Sequence, residues 1–219
     1  MISRRLLLSS AAALGAVPFP DLLLAAPVNP TLGKEYTAVR PALEFPKSPV
    51  VIHDFFAYTC PHCLSFAPLM EQYTLSKKSD PNVKIVPVPV AWTDDLSIFP
   101  RVYYAFEAKG LIEKLHMNFW TWVIREEHDW KTLEDIEKDV LGWVKAHGED
   151  PDKFRELLGS FSVVSKYHQA TRMWKNYGVD ATPCIGVDGR WITAPHLAGT
   201  RQGAIDVTEW LVKKALEEK

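Results

Sequence analysis

The hydrophobic pattern of residues 50–73 predicts a strand that leads directly into a helix. Five of the seven residues at positions 50–56 are β-branched or aromatic, which is typical of a buried strand. Apolar residues then recur three or four positions apart, as on one face of a helix, at Cys63, Phe66, Ala67, Met70 and Tyr73. Between the two patterns, Pro61 suits the first helical turn. Cys60 is therefore expected at the N-cap.

Two further strands are predicted in the first half of the chain. Residues 33–39 can form a short strand, and residues 83–90 have the composition of a longer one. Pro87 and Pro89 lie within the longer segment, and proline cannot donate a hydrogen bond to a neighbouring strand. This strand is therefore expected at an edge of the sheet.

Residues 97–177 have helical periodicity and no convincing strand. The clearest helix has apolar residues at i, i+4, i+7, i+11 and i+14 from Val163, and Gly178 is a suitable stop after it. Thr132 and Asp150 are suitable N-caps for two earlier helices. The segment is predicted to be an all-helical insertion.

The last part of the chain returns to the sheet. Asp188-Gly189 separates two strand-like segments, residues 184–187 and 190–193, which predicts a hairpin. Residues 202–217 then have the pattern of a closing helix. The expected fold is α/β, with one domain formed by residues 27–96 and 178–219 and interrupted by the helical insertion 97–177.

The first 26 residues have the organisation of an export signal. Arg4 and Arg5 precede an apolar stretch that ends near Val17 and is too short to span a bilayer comfortably. The two arginines leave both a general secretory and a twin-arginine route open. Small residues at Ala25 and Ala26 suit cleavage, although an uncleaved anchor is the alternative.

The net charge and the number of cysteines limit the classes of function that are possible. The formal net charge is −2, and loss of Arg4, Arg5 and Asp21 with the signal removes a net +1, which leaves −3. This charge excludes a basic nucleic-acid-binding surface. Three cysteines are too few for a disulfide scaffold in an exported protein but suit one catalytic pair.

The spacing of Cys60 and Cys63 predicts a redox-active dithiol. The unpaired amides at a helix start stabilise a thiolate at Cys60, and Cys63 follows one turn later, within reach for a disulfide. A purely structural disulfide would close too small a loop to stabilise much. A zinc site can also contain this spacing, but the seven histidines show no metal-ligand pattern. We therefore expect a redox-active Cys60–Cys63 disulfide and no metal or other cofactor.

The combination of Cys60-Pro61-His62-Cys63 after a strand, a helical insertion, and Thr182-Pro183 before a hairpin resembles the thioredoxin superfamily, and within it the DsbA family of exported bacterial thiol oxidases. Residues 33–37 also resemble the opening of that family. The resemblance implies a thioredoxin fold with an all-helical insertion, and oxidation of exported proteins with free thiols in the periplasm. It also implies re-oxidation by a membrane quinone-linked protein.

The resemblance assigns roles to the dithiol and its neighbours. Cys60 would be the sulfur that exchanges with substrate, and Cys63 the buried thiol that resolves mixed disulfides. The residues between them, Pro61 and His62, would tune redox strength, although His62 in a solvated turn is the alternative. Asp54 would be the family's buried acid, which exchanges a proton with Cys63, whereas a salt-bridged edge carboxylate is the alternative.

The resemblance also implies a substrate-binding loop with a cis peptide bond between Thr182 and Pro183. The Thr182 backbone would pair with an extended substrate segment. Cys184 departs from the family pattern, and a small buried hydrophobe is favoured over a third redox-active thiol. Four tryptophans of the insertion are expected in the core: Trp120, Trp122, Trp143 and Trp174.

Two other functions remain open on the sequence alone. One is a reductase or isomerase of the same fold, although the isomerase relatives carry an additional N-terminal dimerisation domain for which this chain has no room. The expected oligomeric state is a monomer. The other is a non-enzymatic metal binder that uses Cys60, His62, Cys63 and Cys184.

Overall fold

A computed structural model describes residues 29–46 and 48–218. Its centre is a five-stranded sheet with the order β1-β5-β4-β2-β3. The strands are β1 Tyr36–Ala38, β2 Val50–Phe56, β3 Val83–Pro89, β4 Cys184–Val187 and β5 Trp191–Thr193. Strands β2 and β3 are parallel, and the other neighbouring pairs are antiparallel. The predicted α/β class is confirmed, whereas the predicted export signal lies outside the described residues.

Eight α-helices surround this sheet in the described part of the chain. They are α1 Pro61–Lys77, α2 Ile98–Lys109, α3 Ile112–Arg125, α4 Leu133–Ala146, α5 Pro151–Leu158, α6 Phe161–Tyr177, α7 Pro195–Ala198 and α8 Arg201–Glu217. A short 3₁₀ helix, Asp94–Leu96, precedes α2. None of the described helices has both the length and the apolar character needed to cross a membrane.

The two prolines of β3 explain its place in the sheet. Pro87 lies opposite Asp54 and Pro89 opposite Phe56, and β3 has β2 as its single neighbour. A strand at an edge tolerates proline because its outer side has no partner to bond. The prediction of an edge strand is confirmed, and it leaves β2, with Asp54 on it, in the interior of the sheet.

The helical insertion contains the predicted helix starts and stop. The Thr132 hydroxyl oxygen accepts a hydrogen bond from the Asp135 N–H, and the Asp135 carboxylate accepts one from the Thr132 N–H. Asp150 caps α5, where its carboxylate accepts hydrogen bonds from the N–H groups of Asp152 and Lys153. Helix α6 ends at Gly178, whose φ of 70° lies in the left-handed region. Five helices and no strand occupy the described residues between positions 98 and 177.

The β4–β5 hairpin turns at Asp188 and Gly189, whose φ angles are 54° and 69°. Positive φ angles at both central residues suit the tight turn of a twisted hairpin, and the Arg190 N–H closes this turn by donating to the Val187 carbonyl oxygen at 3.0 Å. A side chain at Gly189 would also meet the Leu43 carbonyl oxygen, because a Cβ there would lie 2.4 Å from it. The predicted hairpin is confirmed, while α7 between β5 and α8 was not predicted.

Buried apolar residues form two clusters. One contains Phe55 and Phe56 of β2 together with aromatic residues of the insertion, such as Phe119. The other contains Ile52 of the same strand and apolar residues of α1 and α8, such as Leu211. Trp120 and Trp143 are buried in the first cluster, with Trp122 and Trp174 packed against it, as predicted. The end of β2 therefore lies in a rigid core, which fixes the start of α1.

Candidate functional site

The dithiol lies where β2 gives way to α1. Cys60 is the N-cap of α1 and forms a disulfide with Cys63, whose backbone N–H lies 3.1 Å from the Cys60 sulfur. Cys60 is half-buried, whereas Cys63 is only 1% exposed. An incoming thiolate can therefore reach the Cys60 sulfur, while Cys63 is shielded by the helix and the sheet.

A distant loop completes the surroundings of Cys60. The peptide bond between Thr182 and Pro183 is cis, as the resemblance implied. The Thr182 carbonyl oxygen lies 3.4 Å from the Cys60 sulfur, although 122 positions separate the two residues in the chain. Pro183 is buried directly before β4, so the sheet holds this loop against the start of α1.

The two residues between the cysteines differ in their surroundings. Pro61 occupies the first turn of α1, where a missing N–H costs no helical hydrogen bond. His62 is exposed, and its carbonyl oxygen accepts a hydrogen bond from the Ser65 hydroxyl. Its imidazole forms no hydrogen bond with the described residues. A tuning role for His62 therefore stays a prediction.

Asp54 and Cys63 line the same cavity, which has a volume of about 270 Å³. Its walls are mostly apolar and include Phe66 and Met70 of α1. Burial raises the pKa of the Asp54 carboxyl group from 3.8 to about 7. Asp54 forms no ion pair with the described residues, and it lies on an inner strand, in contrast to the salt-bridged edge interpretation. An acid that titrates near neutrality therefore shares a cavity with the buried sulfur.

A tyrosine–histidine pair next to the dithiol was not predicted. The Tyr58 hydroxyl lies 2.6 Å from His116 Nδ1, and His116 also lines the cavity of Asp54. Burial lowers the pKa of His116 to about 4 and raises the pKa of Tyr58 well above its ordinary value. The tyrosine therefore donates to a neutral imidazole, and this bond links the segment before Cys60 to α3.

A second histidine supports the sheet behind the site. His53 is buried on β2, and its Nδ1 lies 3.0 Å from the Tyr177 hydroxyl, which accepts a hydrogen bond from the Gly189 N–H at 2.8 Å. Burial and, to a lesser degree, the charge of Lys84 lower the pKa of His53 to about 4. The neutral imidazole therefore accepts a hydrogen bond from the Tyr177 hydroxyl, and this bond joins β2, α6 and the hairpin.

Cys184 is the free cysteine of the chain and is buried at the start of β4, opposite Phe55. Burial is the main cause that raises the pKa of its thiol far above the ordinary value, and the charge of Asp54 adds to it. The thiol is therefore protonated and uncharged at neutral pH, which agrees with the interpretation of Cys184 as a small buried hydrophobic residue. Its lack of a redox role stays a prediction. Within the described residues, no group of three or more histidine, cysteine or acidic side chains is placed to hold a metal ion.

Comparison with known proteins identifies relatives that are thiol:disulfide interchange proteins. The family model described as Thioredoxin matches residues 44–207. The thiol:disulfide interchange protein DsbA of Burkholderia cepacia is 30% identical over 200 residues, which cover 90% of this chain and 92% of that protein. This chain belongs to the DsbA family. The protein of the same name from Bordetella pertussis is 32% identical over 209 residues, with 94% of each chain covered.

Solved structures of DsbA proteins share the fold. The crystal structure of Pseudomonas aeruginosa DsbA has a TM-score of 0.74 at 21% identity, with 86% of this chain and 97% of that chain covered. The oxidoreductase DsbA from Xylella fastidiosa has a TM-score of 0.69 at 19% identity, with 84% and 97% covered. The predicted thioredoxin fold with an all-helical insertion is thereby confirmed.

Proposed function

We propose that this DsbA-family protein is a thiol:disulfide oxidoreductase that introduces disulfide bonds into exported proteins in the periplasm. The observation that supports it best is the asymmetry of the dithiol. The half-buried Cys60 lies beside the Thr182–Pro183 loop and is open to attack, whereas Cys63 is buried. Such a pair accepts electrons from a substrate thiolate at one defined sulfur.

The reaction consists of two thiol–disulfide exchanges. A substrate thiolate attacks the Cys60 sulfur, which forms a mixed disulfide and breaks the Cys60–Cys63 bond, so that Cys63 leaves as a thiolate. A second substrate thiolate then attacks the substrate sulfur of the mixed disulfide and releases Cys60 as a thiolate. The substrate loses two electrons, and the enzyme dithiol gains them.

Asp54 supplies the proton that the first exchange needs. When the Cys60–Cys63 bond breaks, negative charge appears on the buried Cys63 sulfur, where it is costly. The carboxyl group of Asp54 has a pKa of about 7 and lines the same cavity, so at neutral pH it is protonated in about half of the molecules. Transfer of this proton leaves Cys63 as a thiol and slows the return to the disulfide.

Stabilisation of the reduced Cys60 thiolate sets the oxidising strength. The α1 amides face this sulfur, with the Cys63 N–H 3.1 Å away, and we infer that His62 and Pro61 adjust the remaining stabilisation. Each unit by which the pKa of Cys60 falls stabilises the reduced form by about 1.4 kcal/mol. In redox potential this corresponds to roughly 30 mV.

The Thr182–Pro183 loop is the proposed substrate-binding element. Its half-buried Thr182 backbone lies beside the reacting sulfur, where an extended substrate segment can pair with it as an added strand. Family membership supports the remaining expectations: a signal at residues 1–26 that is removed on export, a monomeric mature chain, and re-oxidation by a membrane quinone-linked protein.

Stoichiometric oxidation of a reduced, unfolded protein that contains two cysteines tests the proposal. The oxidised enzyme is expected to convert one substrate dithiol to a disulfide per molecule, with equal loss of free thiols. Cys60→Ser should abolish this transfer, and Cys184→Ser serves as the matched control that retains it. A wild-type protein that leaves the dithiol reduced but reduces protein disulfides when supplied with dithiothreitol would instead be a reductase.

A further inference from the structure

A second cavity lies on the substrate-binding loop. It has a volume of about 270 Å³, and the residues that line it are His62, Thr182, Pro183, Pro195, His196 and Arg201. Pro183 is the one residue that it shares with the cavity of Asp54. The loop that is proposed to bind substrate therefore borders two cavities.

The two cavities differ in charge. Carboxylates line the first one, namely Asp54, Glu71 and Glu113, whereas the second one has an arginine and two histidines and no carboxylate among its lining residues. Arg201 carries a permanent positive charge with five N–H donors. No carboxylate of the described residues forms an ion pair with it. Asp206, which lies on the same helix, accepts a hydrogen bond from Gln202 at 2.8 Å.

The turn between α7 and α8 fixes the backbone between two of these residues, His196 and Arg201. Thr200 caps α8 by accepting a hydrogen bond from the Gly203 N–H at 2.8 Å. A Cβ at Gly203 would lie 2.7 Å from the Ala198 carbonyl oxygen, so the two helices meet at close backbone contact. His196 precedes this turn in the sequence and Arg201 follows it, and both residues line the second cavity.

The cavity lies within reach of residues that flank a reacting substrate cysteine. Thr182 lines it, and the Thr182 carbonyl oxygen is 3.4 Å from the Cys60 sulfur. An extended segment advances by about 3.3 Å per residue. A substrate side chain one or two positions from the cysteine bound to Cys60 can therefore enter the cavity.

We propose that this cavity is a carboxylate-binding subsite, in which Arg201, aided by the imidazoles of His62 and His196, binds an aspartate or glutamate that flanks the substrate cysteine. The proposal rests on the thiol-oxidase function above and adds a preference among its substrates. Arg201 acts in specificity and takes no part in the exchange of sulfur bonds. The three side chains are exposed, so an incoming segment meets them without rearrangement of the core.

A set of single-cysteine peptides tests this preference. The peptides differ only in carrying Asp, Asn or Lys at one of the two positions on either side of the cysteine, and the measured quantity is the rate at which each reduces the Cys60–Cys63 disulfide. Exposed ion pairs contribute up to about fivefold. We expect Asp at one flanking position to react roughly threefold to fivefold faster than Asn, with Lys slower than both.

Variants and salt identify the residue responsible. Arg201→Gln should bring the Asp-to-Asn rate ratio close to one, and Arg201→Glu should make the Lys peptide the fastest. Arg172→Gln, at an exposed arginine of α6, is the matched control and should keep the wild-type ratio. The ratio should also fall as salt is raised from about 20 mM to about 0.5 M, because screening weakens exposed charges.

The outcomes separate this inference from the proposed function. Equal rates for Asp, Asn and Lys peptides at every position would overturn the subsite and leave thiol oxidation intact. A ratio that persists in Arg201→Gln would also overturn it. Failure of all peptides to reduce the disulfide would refute the proposed function, and the inference would fall with it.

Discussion

Replacement of Asp54 by asparagine is predicted to stabilise the folded protein by an amount that grows from about pH 4 and reaches its full value near pH 7. In the folded state, burial raises the pKa of this carboxyl group to about 7, compared with an ordinary value of 3.8. A pKa higher by roughly three units corresponds to a cost of about 4 kcal/mol once the group is ionised. Because the group borders a cavity that water can enter, we expect a gain on the order of 2–4 kcal/mol for Asp54→Asn at pH 8.

The pH dependence of this gain has a defined sign. Below about pH 4, Asp54 is protonated in both the folded and the unfolded state, so the variant gains nothing. Between pH 4 and pH 7, the unfolded chain loses the proton first, and the contribution of Asp54 to the wild-type free energy of unfolding falls as pH rises. His53 and His116, with pKa values lowered to about 4, act in the opposite direction below about pH 6.5. They are present in both proteins, so their contribution cancels in the difference.

Urea unfolding of the oxidised proteins from pH 4 to pH 8 measures this difference. The same variant should resolve mixed disulfides through Cys63 more slowly, because no carboxylate is left to accept the proton that the Cys63 thiol loses as it attacks the Cys60 sulfur. Asp95→Asn, at an exposed aspartate of the 3₁₀ helix, is the matched control and should change neither quantity. A destabilised Asp54→Asn protein with unchanged kinetics would show that the carboxylate is a paired structural group, and the proton-transfer role would be wrong.

Three other variants test the site. Cys63→Ala should accumulate mixed disulfides through Cys60, because the resolving thiol is missing; non-reducing gels without adducts would contradict the order of attack. His62→Ser should raise the pKa of the reduced Cys60 thiol and lower the redox potential by about 30 mV for each pKa unit, as measured by alkylation against pH and equilibration with glutathione. Wild-type values of both quantities would assign the tuning to the backbone. Cys184→Ala should oxidise substrate at the wild-type rate, and loss of activity would reveal a third redox-active thiol.

The features that were predicted correctly depend on neighbouring residues. The position of Cys60 at the N-cap follows from Pro61 and the helical spacing beyond it. The edge strand follows from the chemistry of Pro87 and Pro89, and the hairpin follows from Asp188-Gly189. In each case, the signal lies within a few residues of the structure that it determines.

The features that were missed depend on contacts between distant parts of the chain. His53 and Tyr177 are 124 positions apart, and neither has a sequence signal that indicates the other. Tyr58 and His116 meet because α3 packs beside the end of β2. The second cavity, which His62, His196 and Arg201 line, likewise depends on α7, and the four residues of α7 are too few to produce a periodic pattern. Chemistry at the dithiol was therefore readable from the sequence, whereas its supporting residues were not.

The redox potential of the Cys60–Cys63 couple, measured by equilibration with glutathione, is the most direct test of the central claim. A protein that oxidises exported thiols is expected to be more oxidising than protein disulfide isomerase, whose potential is about −180 mV. The couple should therefore lie above that value in the wild type. A potential near about −270 mV, as in thioredoxin, would contradict the account and identify a reductase.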